Sequence, residues 1–173
     1  MHDTYPSKVI FLDIDHVLTN TSLDGSSFLM LDPTKYRLSP LNMCWLDKVL
    51  KETGAKIVIA SNWRKFAAAN PYWTYNGKKY YSPLGKFEKL YHKHIIGMLP
   101  PERHTTKSEC LELWFEENPW LSKSKGNYVI FEDDVEEGYQ ESPFFIKHLV
   151  LTDYKVGLTE ADAERAIAIL NYA

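Results

Sequence analysis

Four short apolar runs, separated by segments with helical patterning, constrain the fold of this chain most strongly. They are rich in Val, Ile, Leu and Phe, and they cover Lys8 to Asp13, Lys56 to Ser61, Tyr128 to Glu132 and His148 to Thr152. Apolar runs without strict polar alternation are typical of strands in a parallel sheet that is covered on both faces. The sequence therefore predicts an α/β fold with a mainly parallel central sheet.

Helix signals lie between these runs. Ser39 and Pro40 have the pattern of an N-cap followed by proline in the first turn, and Gly54 supplies a stop. The apolar face predicted for this helix consists of Leu41, Cys44, Trp45, Val49 and Leu50. Thr106 and Thr159 each begin a capping-box pattern, which predicts two further helices.

Two segments do not fit this alternation of strands and helices. Residues 19–38 are polar and rich in turn formers, and residues 67–104 have no clean period. Such insertions in α/β proteins usually lie at the carboxyl edge of the sheet, above the ligand crevice. Since 173 residues are enough for one domain with a sizeable core, we expect residues 1–173 to form a single domain that carries both insertions.

Composition excludes several classes of protein. With 45% hydrophobic and 25% charged residues, the chain is not predominantly disordered. The formal net charge of −3 gives no whole-molecule attraction to nucleic acid, so such a contact needs a local basic patch. The N-terminal MHDTYPSK lacks a basic region followed by an apolar one, and no apolar run approaches the ~20 residues of a membrane span. We therefore expect a cytoplasmic protein with no membrane partner.

The predicted strands end in residues with chemical function. Asp13 and Asp15 follow the first run, Ser61 ends the second, and residues 132–134 are consecutive acids at the end of the third. The carboxyl ends of parallel strands share one edge of the sheet, so these side chains are expected to meet there with Lys107, which begins a predicted helix. Clustered carboxylates repel one another unless a cation compensates them, and an all-oxygen ligand set favours Mg²⁺. Lys107, the Ser61 hydroxyl and nearby N–H groups, including those at the helix start, suit an anion.

Four motifs resemble those of the haloacid dehalogenase (HAD) superfamily. DIDHVLT resembles the first motif, IVIASN the second, Lys107 the third and FEDD the fourth, and they follow the superfamily's order from Phe11 to Asp134. The WR pair after the second motif and the closing LVLTDYKVGLTEADAERAIAIL are similar to the small HAD domains of multifunctional RNA-repair proteins. The resemblance implies a Rossmann-like three-layer sandwich with a small or minimal cap, and the activity of a Mg²⁺-dependent phosphatase.

The resemblance also implies roles for individual residues. Asp13 would attack phosphorus and form an aspartyl-phosphate, and Asp15 would protonate the leaving oxygen and then activate water. Ser61, Asn62 and Lys107 would bind the transferring phosphoryl group. An acid at the position of Asp15 favours phosphoryl transfer over dehalogenation, because a leaving halide needs no proton.

Metal ligands and substrate contacts are implied in the same way. The candidate Mg²⁺ ligands are Asp13, the backbone carbonyl of Asp15, Asp133 and Asp134. Three consecutive acids leave open which of them, Glu132 included, binds the ion. His16 stands where the superfamily often has Gly, and histidine tolerates a left-handed backbone better than most residues. His16 and Arg64 are candidate substrate contacts.

The second predicted insertion combines aromatic and basic residues. Five rings interleave with five lysines: Tyr72, Trp73, Tyr75, Tyr80 and Tyr81 with Lys78, Lys79, Lys86, Lys89 and Lys93. This composition suits base stacking and phosphate contacts, so RNA or DNA ends are candidate substrates. It equally suits a structural cap with an aromatic core and a solvated basic face. A small-metabolite phosphatase or phosphotransferase and a non-catalytic HAD-like nucleic-acid-binding module are the alternative functions.

Overall fold

A computed structural model of the protein describes residues 5–19, 38–64, 72–75, 78–81, 83–100 and 106–172. Its strands are β1 (Lys8–Leu12), β2 (Lys56–Ile59), β3 (Tyr72–Tyr75), β4 (Lys78–Tyr81), β5 (Ile95–Met98), β6 (Asn127–Glu132) and β7 (Leu149–Leu151). Five of them form one parallel sheet in the order β5-β2-β1-β6-β7, and β3 and β4 form a separate antiparallel ribbon. The predicted α/β fold with a parallel central sheet is confirmed.

Helices flank the sheet. They are α1 (Pro40–Thr53), α2 (Pro83–Tyr91), α3 (Lys107–Glu117) and α4 (Glu160–Asn171), with 3₁₀ turns at Val135–Glu137, Tyr139–Glu141 and Phe145–Lys147. The predicted caps are confirmed: Ser39 accepts a hydrogen bond from the Asn42 N–H, and Thr106 and Thr159 form capping boxes. Within the described residues, no helix combines the length and the apolarity needed to cross a bilayer.

The central strand β1 contributes alternate side chains to two hydrophobic clusters, one on each side of the sheet. Ile10 belongs to the cluster that includes Leu46 of α1 and Ala166 of α4. Phe11 belongs to the other cluster, where its ring lies 4.9 Å from the ring of Trp114 in α3, measured between centroids. The result is a three-layer α/β/α arrangement, with β1 buried between the layers.

The buried face of α1 differs from the predicted one. Leu41 and Cys44 are exposed, whereas the polar Asn42 is buried. The side-chain amide of Asn42 donates to the backbone carbonyls of Val156 (3.0 Å) and Leu158 (2.7 Å), in the segment that follows β7. The pattern of apolar residues could not predict the buried face of α1, because that face includes the polar Asn42.

The strand β5 lies in a segment that the sequence analysis treats as part of an insertion. It pairs with β2 at the edge of the sheet, and its exposure alternates, with Ile96 and Met98 each 43% exposed. An edge strand with glycine near its middle lacks the continuous apolar run by which the other strands are recognised. Residues 20–37 and 65–71 lie outside the described residues. The extents of the two insertions and the single-domain organisation therefore stay predictions.

Candidate active site

Buried charges gather where β1 and β6 end and α3 begins. Lys107, the first residue of α3, places its Nζ 2.5 Å from Oδ2 of Asp13 and 2.8 Å from Oε2 of Glu132. Asp13 directly follows β1, Glu132 is the last residue of β6, and these strands are neighbours in the sheet. All three side chains are buried. The parallel sheet thus joins two acids from neighbouring strand ends to one ammonium group.

Opposing effects set the protonation of this buried group. Burial alone would raise the pKa of Asp13, but the charge of Lys107 and a hydrogen bond from Glu132 lower it below its usual value. Burial also disfavours the charged form of Lys107, yet Asp13 and Glu132 raise its pKa. Burial and the charge of Asp13 raise the pKa of Glu132 well above its usual range. Asp13 is therefore ionised at neutral pH, with Lys107 as its counter-ion.

Two further acids beside the ion pair have raised pKa values. Burial and the charge of Asp13 raise the pKa of Asp15 to about 7, although a hydrogen bond from Trp63 opposes the change. The same two causes raise the pKa of Asp133 to about 6, and here the charge of His16 opposes them. Carboxyl groups with such values hold a proton close to neutral pH, as a general acid must.

Asp13, Glu132 and Asp133 together can hold a metal ion. One ligand oxygen from each lies within 4.8 Å of the other two. Carboxylate oxygens suit a hard divalent cation such as Mg²⁺, and a cation here would offset the repulsion that raises the pKa of Asp133. Glu132 already contacts Lys107 Nζ through both of its oxygens, at 2.8 and 3.0 Å. Asp13 and Asp133 are therefore the better metal donors of the three.

The turn that follows β2 contacts both acids of the first motif. The side chain of Ser61 is among the hydrogen-bonding groups that lower the pKa of Asp13. The indole Nε1–H of Trp63 donates to Oδ2 of Asp15. Because Ser61 and Trp63 are two residues apart, one short turn holds both carboxylates.

Arg64 anchors this turn from inside the protein. Its side chain is buried, and its guanidinium donates to the backbone carbonyls of Ala60 (2.9 Å), Ser61 (2.9 Å), Leu99 (3.1 Å) and Pro100 (3.3 Å). From the sequence, Arg64 is both a candidate substrate contact and a candidate structural residue. Its burial and its carbonyl partners favour the structural role.

A family model described as the HAD domain in Swiss Army Knife RNA repair proteins matches residues 9–163 of the chain. The chain belongs to this family. The match spans the four motif positions, from Asp13 in the first to Asp133 in the fourth. No curated protein matches the chain. Membership supports a phosphatase-type hydrolase in general, and the acidic group supplies a place where a divalent metal can bind.

Two predicted site residues lie at the border of the acidic group in this HAD domain. Oδ1 of Asp134 accepts a hydrogen bond from the Glu136 N–H (2.8 Å) and caps the first 3₁₀ turn, so the structure does not bring this side chain into the metal-binding group. His16 has a φ of 52°, so it adopts the left-handed backbone that histidine tolerates better than most residues. Its N–H donates to Oγ1 of Thr19 (2.9 Å) and its carbonyl accepts from Oγ1 of Thr152 (3.1 Å).

Glu137 joins Asn62 to the start of α3, and the sequence analysis missed it. Oε1 of Glu137 accepts from Nδ2 of Asn62 (2.9 Å), and Oε2 accepts from the backbone N–H of Lys107 (2.8 Å). We expected the N–H groups at this helix start to suit a bound anion. The Glu137 carboxylate accepts the hydrogen bond from the first of these N–H groups, that of Lys107. The only sequence signal for this role is the acidic run after the fourth motif.

Tyr139 is a second residue that sequence reasoning missed. It is buried in this HAD domain, and its hydroxyl has no hydrogen-bond partner within the described part of the chain. Burial, together with the charges of Glu132 and Asp13, raises the pKa of Tyr139 well above its usual value. A tyrosine in a 3₁₀ turn has no periodic pattern around it, so only the fold could place it beside the acids.

Proposed function

We propose that this HAD domain is a Mg²⁺-dependent phosphatase that hydrolyses a phosphomonoester through an aspartyl-phosphate on Asp13. The observation that carries the proposal is the buried 2.5 Å contact between Asp13 and Lys107, with further acids beside it. A carboxylate whose pKa is kept low stays available as a nucleophile. The ammonium group of Lys107 is placed to stabilise charge on the phosphoryl oxygens.

The reaction divides into two displacements. In the first, an oxygen of Asp13 bonds to phosphorus, the ester P–O bond breaks, and Asp15 gives its proton to the leaving oxygen. In the second, water attacks the phosphorus, Asp15 takes the proton of that water, and the bond between Asp13 and phosphorus breaks. Phosphate leaves, and both acids return to their starting protonation states. The pKa of Asp15, about 7, suits a group that must both donate and accept a proton.

Asp13 and Asp133 are the side chains that would hold Mg²⁺, with the backbone carbonyl of Asp15 as a further ligand. When bound, the ion neutralises the acids and the phosphoryl oxygens. Glu132 has a different part, because both of its oxygens contact Nζ of Lys107. It keeps the lysine directed at Asp13.

The ribbon of β3 and β4 supports a nucleic-acid end as the substrate. Its register pairs Tyr72 with Tyr81, Trp73 with Tyr80, Thr74 with Lys79 and Tyr75 with Lys78. Aromatic residues stack on bases and lysines contact phosphates, so a ribbon of this composition suits a single-stranded nucleic acid. The description of the family as RNA repair proteins points to the same substrate class.

The decisive variant is Asp13→Asn, which keeps the side-chain volume but removes the nucleophile. We expect phosphate release from an aryl phosphate in Mg²⁺ to fall by roughly 10⁴-fold or more. The exposed Glu164→Gln on α4 is the matched control and should retain full activity. Undiminished turnover by Asp13→Asn would refute the mechanism. A wild-type protein that binds phosphorylated oligonucleotide without any turnover would instead favour the non-catalytic binding module.

A further inference from the structure

We propose that Trp63 is a positioning residue for proton transfer, and that it directs the carboxyl group of Asp15 at the leaving oxygen of the substrate. The inference rests on the proposed function and adds a residue to it. Its starting observation is that Nε1–H of Trp63 donates to Oδ2 of Asp15. An indole has one donor and no acceptor, so it can bind only an unprotonated carboxyl oxygen. The proton of Asp15 is thereby confined to Oδ1.

The position of the indole is determined by the turn that carries it. The Trp63 N–H donates to Oγ of Ser61 (3.3 Å), and the Arg64 N–H donates to the Ser61 carbonyl (3.1 Å). The buried guanidinium of Arg64 then ties the turn to the carbonyls of Leu99 and Pro100. Neither Trp63 nor its neighbours can shift without breaking hydrogen bonds inside the protein.

The same turn sets the distance between nucleophile and acid. Ser61 lowers the pKa of Asp13 through a side-chain hydrogen bond, while the indole of Trp63 donates to Asp15. Asp13 must reach phosphorus at the moment when Asp15 reaches the oxygen on the opposite side of it. Because Ser61 and Trp63 belong to one hydrogen-bonded turn, this turn sets the placement of Asp15 relative to Asp13.

The chemical step that depends on Trp63 is the first displacement. As the bond from Asp13 to phosphorus forms and the ester bond breaks, the proton on Oδ1 of Asp15 moves to the leaving oxygen. An alkoxide leaves poorly without that proton, whereas an activated phenolate leaves without it. In the first displacement, loss of the indole N–H should therefore slow only the reactions whose leaving group needs an acid.

The test compares leaving groups in the variant Trp63→Phe, which keeps an aromatic ring and removes the N–H. We expect the single-turnover rate of the first displacement to fall about tenfold or more for an alkyl phosphate, with less than about twofold change for 2,4-dinitrophenyl phosphate. The control is Trp45→Phe, a tryptophan of α1 that packs, like Trp63, against the same core cluster. An equal loss with both substrates would indicate a structural role and overturn the proposal, as would no loss at all.

A second measurement keeps this proposal separate from the proposed function. The indole ¹H–¹⁵N resonance of Trp63, assigned by its absence in Trp63→Phe, should shift upfield in Asp15→Ala because a hydrogen bond to a carboxylate is lost. An unmoved resonance would overturn the contact itself. If the resonance moves and Asp13→Asn still turns over substrate at the wild-type rate, the proposed function is what fails, and the role of Trp63 in its first displacement fails with it.

Discussion

Asp133 and Asp134 are adjacent acids with different surroundings, and this difference predicts their response to mutation. Asp133 lies in the metal-binding group, whereas Asp134 caps a 3₁₀ turn. Saturation with Mg²⁺ at about 100 times its Kd should stabilise the wild-type protein by about 2.7 kcal/mol. Asp133→Asn should lose most of that stabilisation. Asp134→Asn should retain it with nearly unchanged stability, because the Asn side-chain oxygen can still accept the capping hydrogen bond from the Glu136 N–H.

Thermal unfolding with and without Mg²⁺ measures both variants. Equal Mg²⁺ stabilisation of Asp133→Asn and the wild type would contradict the ligand assignment. The sequence alone could not separate these acids, because a strand ends among them and the directions of successive side chains beyond its end depend on the turn that follows. It did predict that an acid of this run meets Asp13 and Lys107, since that follows from the parallel order of the strands.

The raised pKa of Asp15 predicts how the free energy of unfolding of the metal-free protein depends on pH. Its pKa is about 7 in the folded protein and about 3.9 in an unfolded chain, so the folded state binds the proton more tightly. The free energy of unfolding must then decrease as the pH rises through this window, and the decrease ends above about pH 7. Asp15→Asn removes the contribution, so its melting temperature should fall less than that of the wild type between about pH 5 and pH 8.

The measurement is thermal unfolding in EDTA at several pH values. If the melting temperatures of Asp15→Asn and the wild type changed with pH in parallel, the pKa of Asp15 would not be raised in the folded protein. Added Mg²⁺ should flatten the wild-type curve, because the cation compensates the carboxylates whose repulsion raises the pKa.

At the scale of elements, the segment after β7 holds the loop that carries the first motif. The Leu158 N–H donates to the Val17 carbonyl (2.8 Å), and Thr152 Oγ1 donates to the His16 carbonyl (3.1 Å). Gly157 lies in the same contact with a φ of 74°. The chain after the last strand therefore supports the loop that follows Asp15.

Gly157→Ala should destabilise the protein and lower its activity together. A Cβ at this position would lie 2.8 Å from the Val17 carbonyl oxygen, in addition to the strain of a positive φ. We expect a cost of about 3 kcal/mol and a lower kcat, because Val17 must move. Gly54→Ala is the matched control: Gly54 has a φ of 68° but no atom within 4 Å of the added Cβ, so it should cost about 1 kcal/mol.

Urea unfolding and steady-state kinetics on both glycine variants check this prediction. If Gly157→Ala and Gly54→Ala had the same free energy of unfolding, or lowered kcat equally, the segment after β7 would not have the supporting role that we assign to it. The contact of Gly157 is not visible in the sequence, where this residue reads as one turn residue among several. The helix caps, by contrast, depend on residues three positions apart, and they were predicted correctly.

At the scale of the whole molecule, the order of the strands explains why the meeting of the active-site residues could be predicted from the sequence. The sheet places β1 between β2 and β6, so the ends of three strands with chemically active residues are neighbours. Apolar runs identified these central strands because they are buried on both faces. They could not identify β5, whose side chains alternate between half-buried and exposed at the edge, nor the buried face of α1, which depends on contacts from a distant part of the chain.

The β3–β4 ribbon predicts how the molecule distinguishes substrates. The double variant Trp73→Ala with Tyr80→Ala removes one aromatic pair of the register. Loss of stacking on one base should raise KM for a phosphorylated oligonucleotide about tenfold and leave KM for an aryl phosphate unchanged. Tyr172→Ala, at an exposed tyrosine beyond α4, is the control. Parallel changes with both substrates, or none, would favour the structural cap or a small-metabolite substrate.

The most direct test of the account is chemical capture of the phosphorylated residue. Asp15→Asn, with 2,4-dinitrophenyl phosphate and Mg²⁺, should complete the first displacement, because dinitrophenolate leaves without a proton from an acid. The variant should stall before the second displacement, because the attacking water then has no general base. Borohydride reduction after an acid quench converts an aspartyl-phosphate to homoserine, which peptide mass spectrometry detects. We predict homoserine at position 13. A stoichiometric burst of dinitrophenol with an unmodified Asp13 would contradict the account.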